Sequence, residues 1–284
     1  MRLLGGELLK LVKRPGTWIT LGIFLGILAL LFVAVGASYN AIVKAPAGQG
    51  GGRETTAAIR SLLSFPGAYA SVAGFIGSIG GLFAIVFGAS AAGSDWGWGM
   101  IKVAVSRGES RTRYILAKLV AVLVLLVPAV LVGAIVGLGA VVVAASISGI
   151  GVAGAGDPGA VASLPSLAVR TWLALCEQAA IGFAIATLAR SQIAGLGVGI
   201  GIYFVESFAA GFWPEWVRYL PFSVVNSLLR EPGSIGGGVD VGGGAAQLAR
   251  STIDQTTALV LVLAYLVASA VISAIALERA EITG

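Results

Sequence analysis

The sequence predicts an all-α integral membrane protein with six membrane-spanning helices. Only 11% of the 284 residues are charged, whereas a soluble domain of this size carries about 25%. Hydrophobic residues make up 57% of the chain, and the mean hydropathy is +0.97. Long apolar runs recur along the chain, so the missing polar surface is expected to face lipid.

Six stretches have the roughly 20 apolar residues that a helix needs to cross a bilayer. They are Trp18–Ala37, Tyr69–Ala92, Leu116–Ser146, Leu167–Leu188, Ile193–Phe212 and Thr256–Leu277. Pro128 is expected to kink the long third span. Neither the first nor the fifth loop is large enough for an independent domain, so one membrane domain over residues 1–284 is expected.

Three shorter helices are predicted at the start of the chain and in the first and fifth loops. Residues 1–16 form an amphipathic helix that lies on the membrane surface with its basic side towards lipid phosphates. Its apolar face is expected to hold Leu4, Leu8, Leu11 and Val12, while most of its charged residues lie elsewhere: Glu7, Lys10, Lys13 and Arg14. A short helix is predicted over Glu54–Phe65. Another, amphipathic or re-entrant, is predicted over Phe222–Arg230, on the extracellular side.

The distribution of Lys and Arg residues predicts the orientation in the membrane. Basic residues cluster before the first span and around the second loop, whereas the third loop, Ile147–Ser166, has none. The N-terminus, the second and fourth loops and the C-terminus are therefore predicted to be cytoplasmic. Basic residues in the long first and fifth loops weaken this bias.

Several function classes are disfavoured by composition. Histidine is absent, which removes His-dependent nucleophiles and His-ligated metal sites. The lone cysteine, Cys176, lies in an apolar run and is expected to serve packing. The net charge of +5 is explained by orientation and anionic lipid rather than by nucleic acid. No catalytic residue, cofactor site or metal site is predicted.

Two features inside the spans bear on packing and transport. Small-residue pairs such as Gly195/Gly199 and Gly197/Gly201 allow close approach of helices, and packing within the chain is favoured over a dimer seam. Glu177 and Gln178 lie near the middle of the fourth span, and Glu206 lies in the fifth. Such residues face a bundle interior, a cavity or a partner. They either line a translocation path or fix packing by an interhelical hydrogen bond.

The second cytoplasmic loop combines charge with apolar contacts. Ser94 and Asp95 can cap a helix start, and the following residues predict a short amphipathic helix that suits docking into a groove of a cytoplasmic partner. The loop contains, in order, Asp95, Gly99-Met-Ile-Lys102, Ser106-Arg-Gly-Glu-Ser-Arg111 and Ala117-Lys118. This order resembles that of ABC-2 type transporter permeases. The amphipathic start, the six spans and Tyr219-Leu-Pro-Phe222 fit the same pattern.

The resemblance implies that Asp95 to about Val105 is a coupling helix that sits on a separate ATP-binding subunit. The coupling residues would be Asp95, Trp96, Gly99, Lys102, Arg107 and Arg111. The chain has no Gly-x4-Gly-Lys-Ser/Thr motif, so ATP and Mg would be bound by that partner. A second permease copy or a paralogue would complete the complex in a bacterial cell membrane.

The function expected from this resemblance is export of a hydrophobic or amphipathic compound, such as a drug, antibiotic, peptide or lipid. A secondary transporter or channel that acts without an ATPase is the alternative. Sparse ionisable groups in the spans and the lack of a matched inverted repeat make it the weaker hypothesis. An intramembrane enzyme is weaker still.

Overall fold

A computed structural model of the protein describes residues 2–44, 53–97, 100, 110–230 and 253–280. Within these residues, every regular element is a helix. In chain order the helices are α1 (Arg2–Lys13), α2 (Pro15–Lys44), α3 (Arg53–Leu63), α4 (Gly67–Gly97), α5 (Arg111–Ser148), α6 (Pro158–Ala189), α7 (Gln192–Ala209), α8 (Pro214–Val217), α9 (Pro221–Leu229) and α10 (Gln255–Glu278).

Six of these helices are long and apolar enough to cross a membrane: α2, α4, α5, α6, α7 and α10. This confirms the predicted all-α membrane protein with six candidate spans. Five of the predicted spans lie inside the observed helices, and α5 continues through Pro128. The fifth prediction, Ile193–Phe212, was too long, because α7 ends at Ala209. Residues 210–212 form a turn, and the chain then starts α8 at Pro214.

The central helices of the bundle are α4 and α6. In each, 67% of the most apolar window is buried, compared with 17–33% in the other four spans. Glycines allow their backbones to approach: a Cβ atom on Gly182 would lie 2.5 Å from the carbonyl oxygen of Ile85, and one on Gly88 would overlap that of Ala179. The two helices run in the same direction, since Gly81 lies against Gln178 while Gly93, further along α4, lies against Gln192 just beyond the end of α6. They form the wall on which the other spans pack.

Helix α7 packs on this wall with one of its two glycine rows. A Cβ atom on Gly195 would lie 2.5 Å from Ala186 Cβ, and one on Gly199 would lie 2.6 Å from Ile85 Cγ2. A Cβ atom on Gly197 or Gly201 would meet nothing within 4 Å. The first row therefore serves packing within the chain, as predicted. The second row faces outward.

The ends of several helices meet at one end of the bundle. We call it the basic end because Arg14 and Arg111 lie there. There, Arg14 Nη1 donates to Ser94 Oγ at 2.8 Å, and Gln192 Nε2 donates to Ser90 Oγ at 3.1 Å. Arg111 Nη1 donates to the carbonyl oxygen of Ala280 at 2.8 Å. The basic end thus gathers α1, the end of α4, the start of α5, the start of α7 and the end of α10. This grouping matches six spans that alternate in direction.

Helix α1 lies against α5 and α2 at the basic end, and its buried face differs from the predicted one. Glu7 and Leu11 are each only 2% exposed, whereas Val12 is 39% exposed. The prediction that the charged residues lie mostly away from the apolar face was wrong for Glu7. Glu7 is buried because cations of the same helix and of α5 reach its carboxylate.

Candidate functional site

A buried ionic cluster lies at the basic end, where α1, α4 and α5 meet. At its centre, the Lys118 ammonium donates to Asp95 Oδ2, and the Tyr114 hydroxyl donates to the same oxygen. All three side chains are 1–4% exposed. Tyr114 and Lys118 lie one helical turn apart on α5, so they reach Asp95 from the same face. The cluster therefore fixes the last turn of α4 to the beginning of α5.

The N-terminal segment completes the cluster. Lys118 Nζ lies 3.8 Å from Glu7 Oε2, while Lys10 Nζ lies 2.5 Å from Glu7 Oε1. Arg14 Nη2 lies 3.6 Å from Asp95 Oδ1. Lys118 thus lies between two carboxylates from different helices. Because a buried charge is costly without a partner, each of the three helices depends on the other two for the position of its charged side chain.

The position of Asp95 differs from the predicted one. We expected Ser94 and Asp95 to start a separate coupling helix, but both belong to the last turn of α4. The small residues before them continue α4, and the Asp95 carboxylate binds Lys118 and Tyr114. The predicted coupling residues Gly99, Lys102 and Arg107 lie outside the described residues, as does most of the predicted coupling helix.

The two remaining predicted coupling residues contact the chain itself. Trp96 contacts Arg190: the Arg190 Cζ atom lies 5.4 Å from the centroid of the Trp96 ring, a cation–π geometry. Arg111 Nη1 donates to the carbonyl oxygens of Glu278 and Ala280 at 3.3 and 2.8 Å. Arg111 therefore satisfies carbonyl groups that the end of α10 leaves unpaired.

A second polar cluster lies inside the bundle, far from the basic end. Glu177 is fully buried, and Glu206 is 3% exposed. Both oxygens of Glu177, and Oε2 of Glu206, have no hydrogen-bonding partner among the described residues. Glu177 lies about 18 Å from the C-terminal end of α6 at the usual helical rise. A charged side chain at the bilayer centre costs about 2.5–3.5 kcal/mol on insertion scales, so each of these carboxyl groups is either neutral or paired with a compensating group.

The register of α6 and α7 places the two carboxyl groups near each other. Gly195 lies opposite Ala186 and Gly199 opposite Gly182, so the helices run antiparallel. Continuing this register brings Glu206 within about one helical turn of the point opposite Glu177. We call the two carboxyl groups the Glu177–Glu206 pair.

Helix α9 lies beside the Glu177–Glu206 pair and contacts Glu206. The Ser223 N–H in its first turn donates to Glu206 Oε1, a favourable position for a carboxylate because unpaired N–H groups lie at a helix start. Helix α10, which carries Tyr265, packs against both α6 and α9. The pair therefore lies where α6, α7, α9 and α10 converge.

Gln178 faces α4, about 100° around the α6 axis from Glu177. Its Nε2 donates to the carbonyl oxygen of Gly77 at 3.1 Å, and its Oε1 has no partner among the described residues. The space it occupies exists because Gly81 has no side chain. Gln178 thus serves the α4–α6 contact, which favours the packing interpretation of this residue. No group of three His, Cys, Asp or Glu side chains that could hold a metal ion occurs among the described residues.

Residues 61–283 match the family model of DUF2705, which is described as a protein of unknown function. The chain belongs to the DUF2705 family. The matched region contains Asp95, Lys118 and the Glu177–Glu206 pair, whereas Glu7 and Arg14 precede it. No curated protein matches the chain. For DUF2705, therefore, the family description assigns no role to either cluster.

Sequence reasoning missed several residues of these clusters. Tyr114 and Glu7 were not predicted as site residues, although Tyr114 and Lys118 are four residues apart on one helix, a spacing that places two side chains on one face. Arg190 was not predicted as a site residue either. In this DUF2705 protein, its contact with Trp96 depends on the turn between α6 and α7, where Arg190 has a φ of 51°.

Proposed function

We propose that this protein is the permease subunit of an ABC-2 type exporter, driven by ATP hydrolysis in a separate subunit. The observation that carries the proposal is the buried ionic cluster of Glu7, Asp95 and Lys118. Asp95 is the first residue of the segment in which the resemblance places the coupling helix, Asp95 to about Val105, and Lys118 follows that segment in the sequence. A force applied to that segment would act on α4 and α5 together, because their ends share buried charges.

The N-terminal helix has a defined part in this proposal. Glu7 brings α1 into the same cluster, and Arg14 links the α1–α2 junction to Ser94 and Asp95. Displacement of the coupling segment would therefore also move α1 and the first span. Conversion of a local push into a concerted helix movement is what alternating access requires.

The complex that we propose contains two permease units and two ATPase units. ATP and Mg are bound by the ATPase, and the second permease is another copy of this chain or a paralogue. The complex lies in a bacterial cell membrane with both permease termini in the cytoplasm. Its substrate is a hydrophobic or amphipathic compound that is exported.

A secondary transporter or channel is the alternative, and one observation favours it. The Glu177–Glu206 pair is buried at bilayer depth, and carboxyl groups in that position occur in ion and proton pathways. A protein of that class would transport without an ATPase. The two proposals therefore differ in whether a nucleotide-hydrolysing partner is needed.

The decisive experiment is co-purification with an ATP-binding subunit, and an ATP-binding protein encoded beside this chain would be the candidate to test. Reconstitution of the pair should give vanadate-sensitive ATPase activity that a transported compound stimulates. Lys102→Glu and Arg107→Glu should weaken co-purification. Arg60→Glu is the matched control, because Arg60 is exposed on α3, away from the basic end. Transport by the chain alone in liposomes would contradict the exporter proposal and support the alternative.

A further inference from the structure

The unpaired oxygens of the Glu177–Glu206 pair indicate what kind of group could occupy this site. Three carboxyl oxygens lack a partner among the described residues: Glu177 Oε1, Glu177 Oε2 and Glu206 Oε2. All three are acceptors when the carboxyl groups are ionised. Buried polar groups are ordinarily hydrogen-bonded. An occupant of the site would therefore bring N–H or O–H donors together with positive charge.

A protonated amine matches this requirement closely. A primary ammonium group has three N–H donors and no acceptor, so it supplies donors without adding an acceptor that would itself need a partner. Hydrogen bonds between charged groups are shorter and stronger than those between neutral groups. Glu206 remains anchored during such binding, because its other oxygen already accepts from the Ser223 N–H.

Aromatic rings beside the pair add a second attraction for a cation. Tyr203 lies one turn before Glu206 on α7, and its ring centroid is 5.3 Å from that of Phe222 on α9. Tyr265 lies on α10, which packs against α6 and α9 beside this site. Aromatic faces attract ammonium groups, and the effect grows when the groups are desolvated.

We infer that the Glu177–Glu206 pair binds the ammonium group of an amphipathic substrate, whose apolar part contacts the surrounding spans. This inference rests on the proposed exporter function and names the substrate class of the membrane site. It also assigns both glutamates to substrate binding and not only to packing between helices.

The surrounding structure offers a route for such a substrate. Helix α7 contacts the central wall through glycines, and only 17% of its apolar window is buried. Tyr203 and Tyr265 are both partly exposed, so the edge of the site approaches the lipid-facing surface. In this conformation Glu177 is enclosed, and separation of α7 and α9 from α6 and α10 would open the pair to an amine from the bilayer.

The inference is tested by binding to the purified full-length protein in nanodiscs of zwitterionic lipid. The probe is a dansyl-labelled long-chain primary amine, and its N-acetylated derivative is the neutral control with the same chain. The amine should bind about tenfold or more tightly than the derivative, because charge-assisted hydrogen bonds are lost on acetylation. Glu177→Gln and Glu206→Gln should each weaken amine binding by about tenfold without changing binding of the derivative. Glu215→Gln, at an exposed position of α8, should bind the amine normally.

Equal binding of the two probes to the wild-type protein would overturn the inference. That result is expected if the pair holds only a proton or an inorganic cation. Unchanged amine binding in folded Glu177→Gln and Glu206→Gln proteins would overturn it as well. The wild-type comparison decides the question even if the variants fail to fold. The assay needs no ATPase, so its failure is distinct from failure of co-purification, which would remove the exporter proposal alone.

Discussion

The Lys118 ammonium and the Asp95 carboxylate form a buried ion pair between the end of α4 and the beginning of α5. Lys118 is 1% exposed and Asp95 is 2% exposed. Such pairs contribute little to stability compared with apolar residues of the same shape, but breaking one leaves an uncompensated charge. This asymmetry makes the pair sensitive to single substitutions.

Lys118→Met should destabilise the protein by about 3 kcal/mol, near the lower end of the range for a broken buried ion pair. The lower end is expected because Arg14 remains 3.6 Å from Asp95. The free energy of unfolding can be measured by denaturant titration in detergent. Lys13→Met is the matched control, because Lys13 is exposed on α1, and it should have little effect.

A double-mutant cycle with Asp95→Asn separates the pair from other effects. The double variant should be more stable than the sum of the two single changes predicts, since it removes both charges at once. Additive losses would show that Asp95 and Lys118 are not energetically coupled, contrary to the ionic cluster as described.

Gly195→Ala should destabilise the protein by about 1–3 kcal/mol, as overpacking of a close contact does. The added Cβ atom would lie 2.5 Å from Ala186 Cβ. Gly197→Ala on the same helix is the control, since a Cβ atom there meets nothing within 4 Å. Thermal unfolding in detergent checks both variants. Equal stability of the two would contradict the assigned packing face of α7.

The comparison of these glycines shows how far the sequence alone could go. The composition and the length of the apolar runs were sufficient to predict six spans, because a bilayer imposes its thickness on any helix that crosses it. The pairs Gly195/Gly199 and Gly197/Gly201 are equivalent as sequence patterns. Only the three-dimensional arrangement distinguishes the row that packs on α6 from the row that faces outward.

Arg111→Ala should loosen the end of α10, because its guanidinium donates to the carbonyl oxygens of Glu278 and Ala280. Amide hydrogen exchange over residues 274–280 should become faster, while exchange in the middle of α10 stays slow. Arg113→Ala is the matched control, since Arg113 is exposed two positions further along α5. Equal exchange in both variants would show that Arg111 does not hold this end.

Cysteine labelling can determine the orientation of the chain, because the native Cys176 is fully buried. An impermeant maleimide applied to intact cells should label Val152→Cys, whose native side chain is 44% exposed. It should label Lys13→Cys only after permeabilisation. The wild-type protein provides the unlabelled control. The reverse pattern would place the basic end outside the cell and exclude contact with a cytoplasmic ATPase.

The ionic cluster was harder to predict than the spans, for a physical reason. Asp95 at the end of an apolar run is compatible both with capping a new helix and with ending the previous one. The outcome depends on whether a cation from another segment reaches it. Glu7 was misplaced for the same reason. Its charge indicates the polar face of α1, whereas Lys118 of α5 lies against it in the structure.

The junction between α1 and α2 has a consequence for the first span. Only Arg14 separates the two helices, and the corner is closed by Thr17 Oγ1 donating to the Leu11 carbonyl oxygen at 2.7 Å and Trp18 Nε1 donating to that of Val12 at 2.8 Å. These hydrogen bonds hold α1 and α2 at a fixed angle to each other. If the first span tilts, α1 should therefore move together with it.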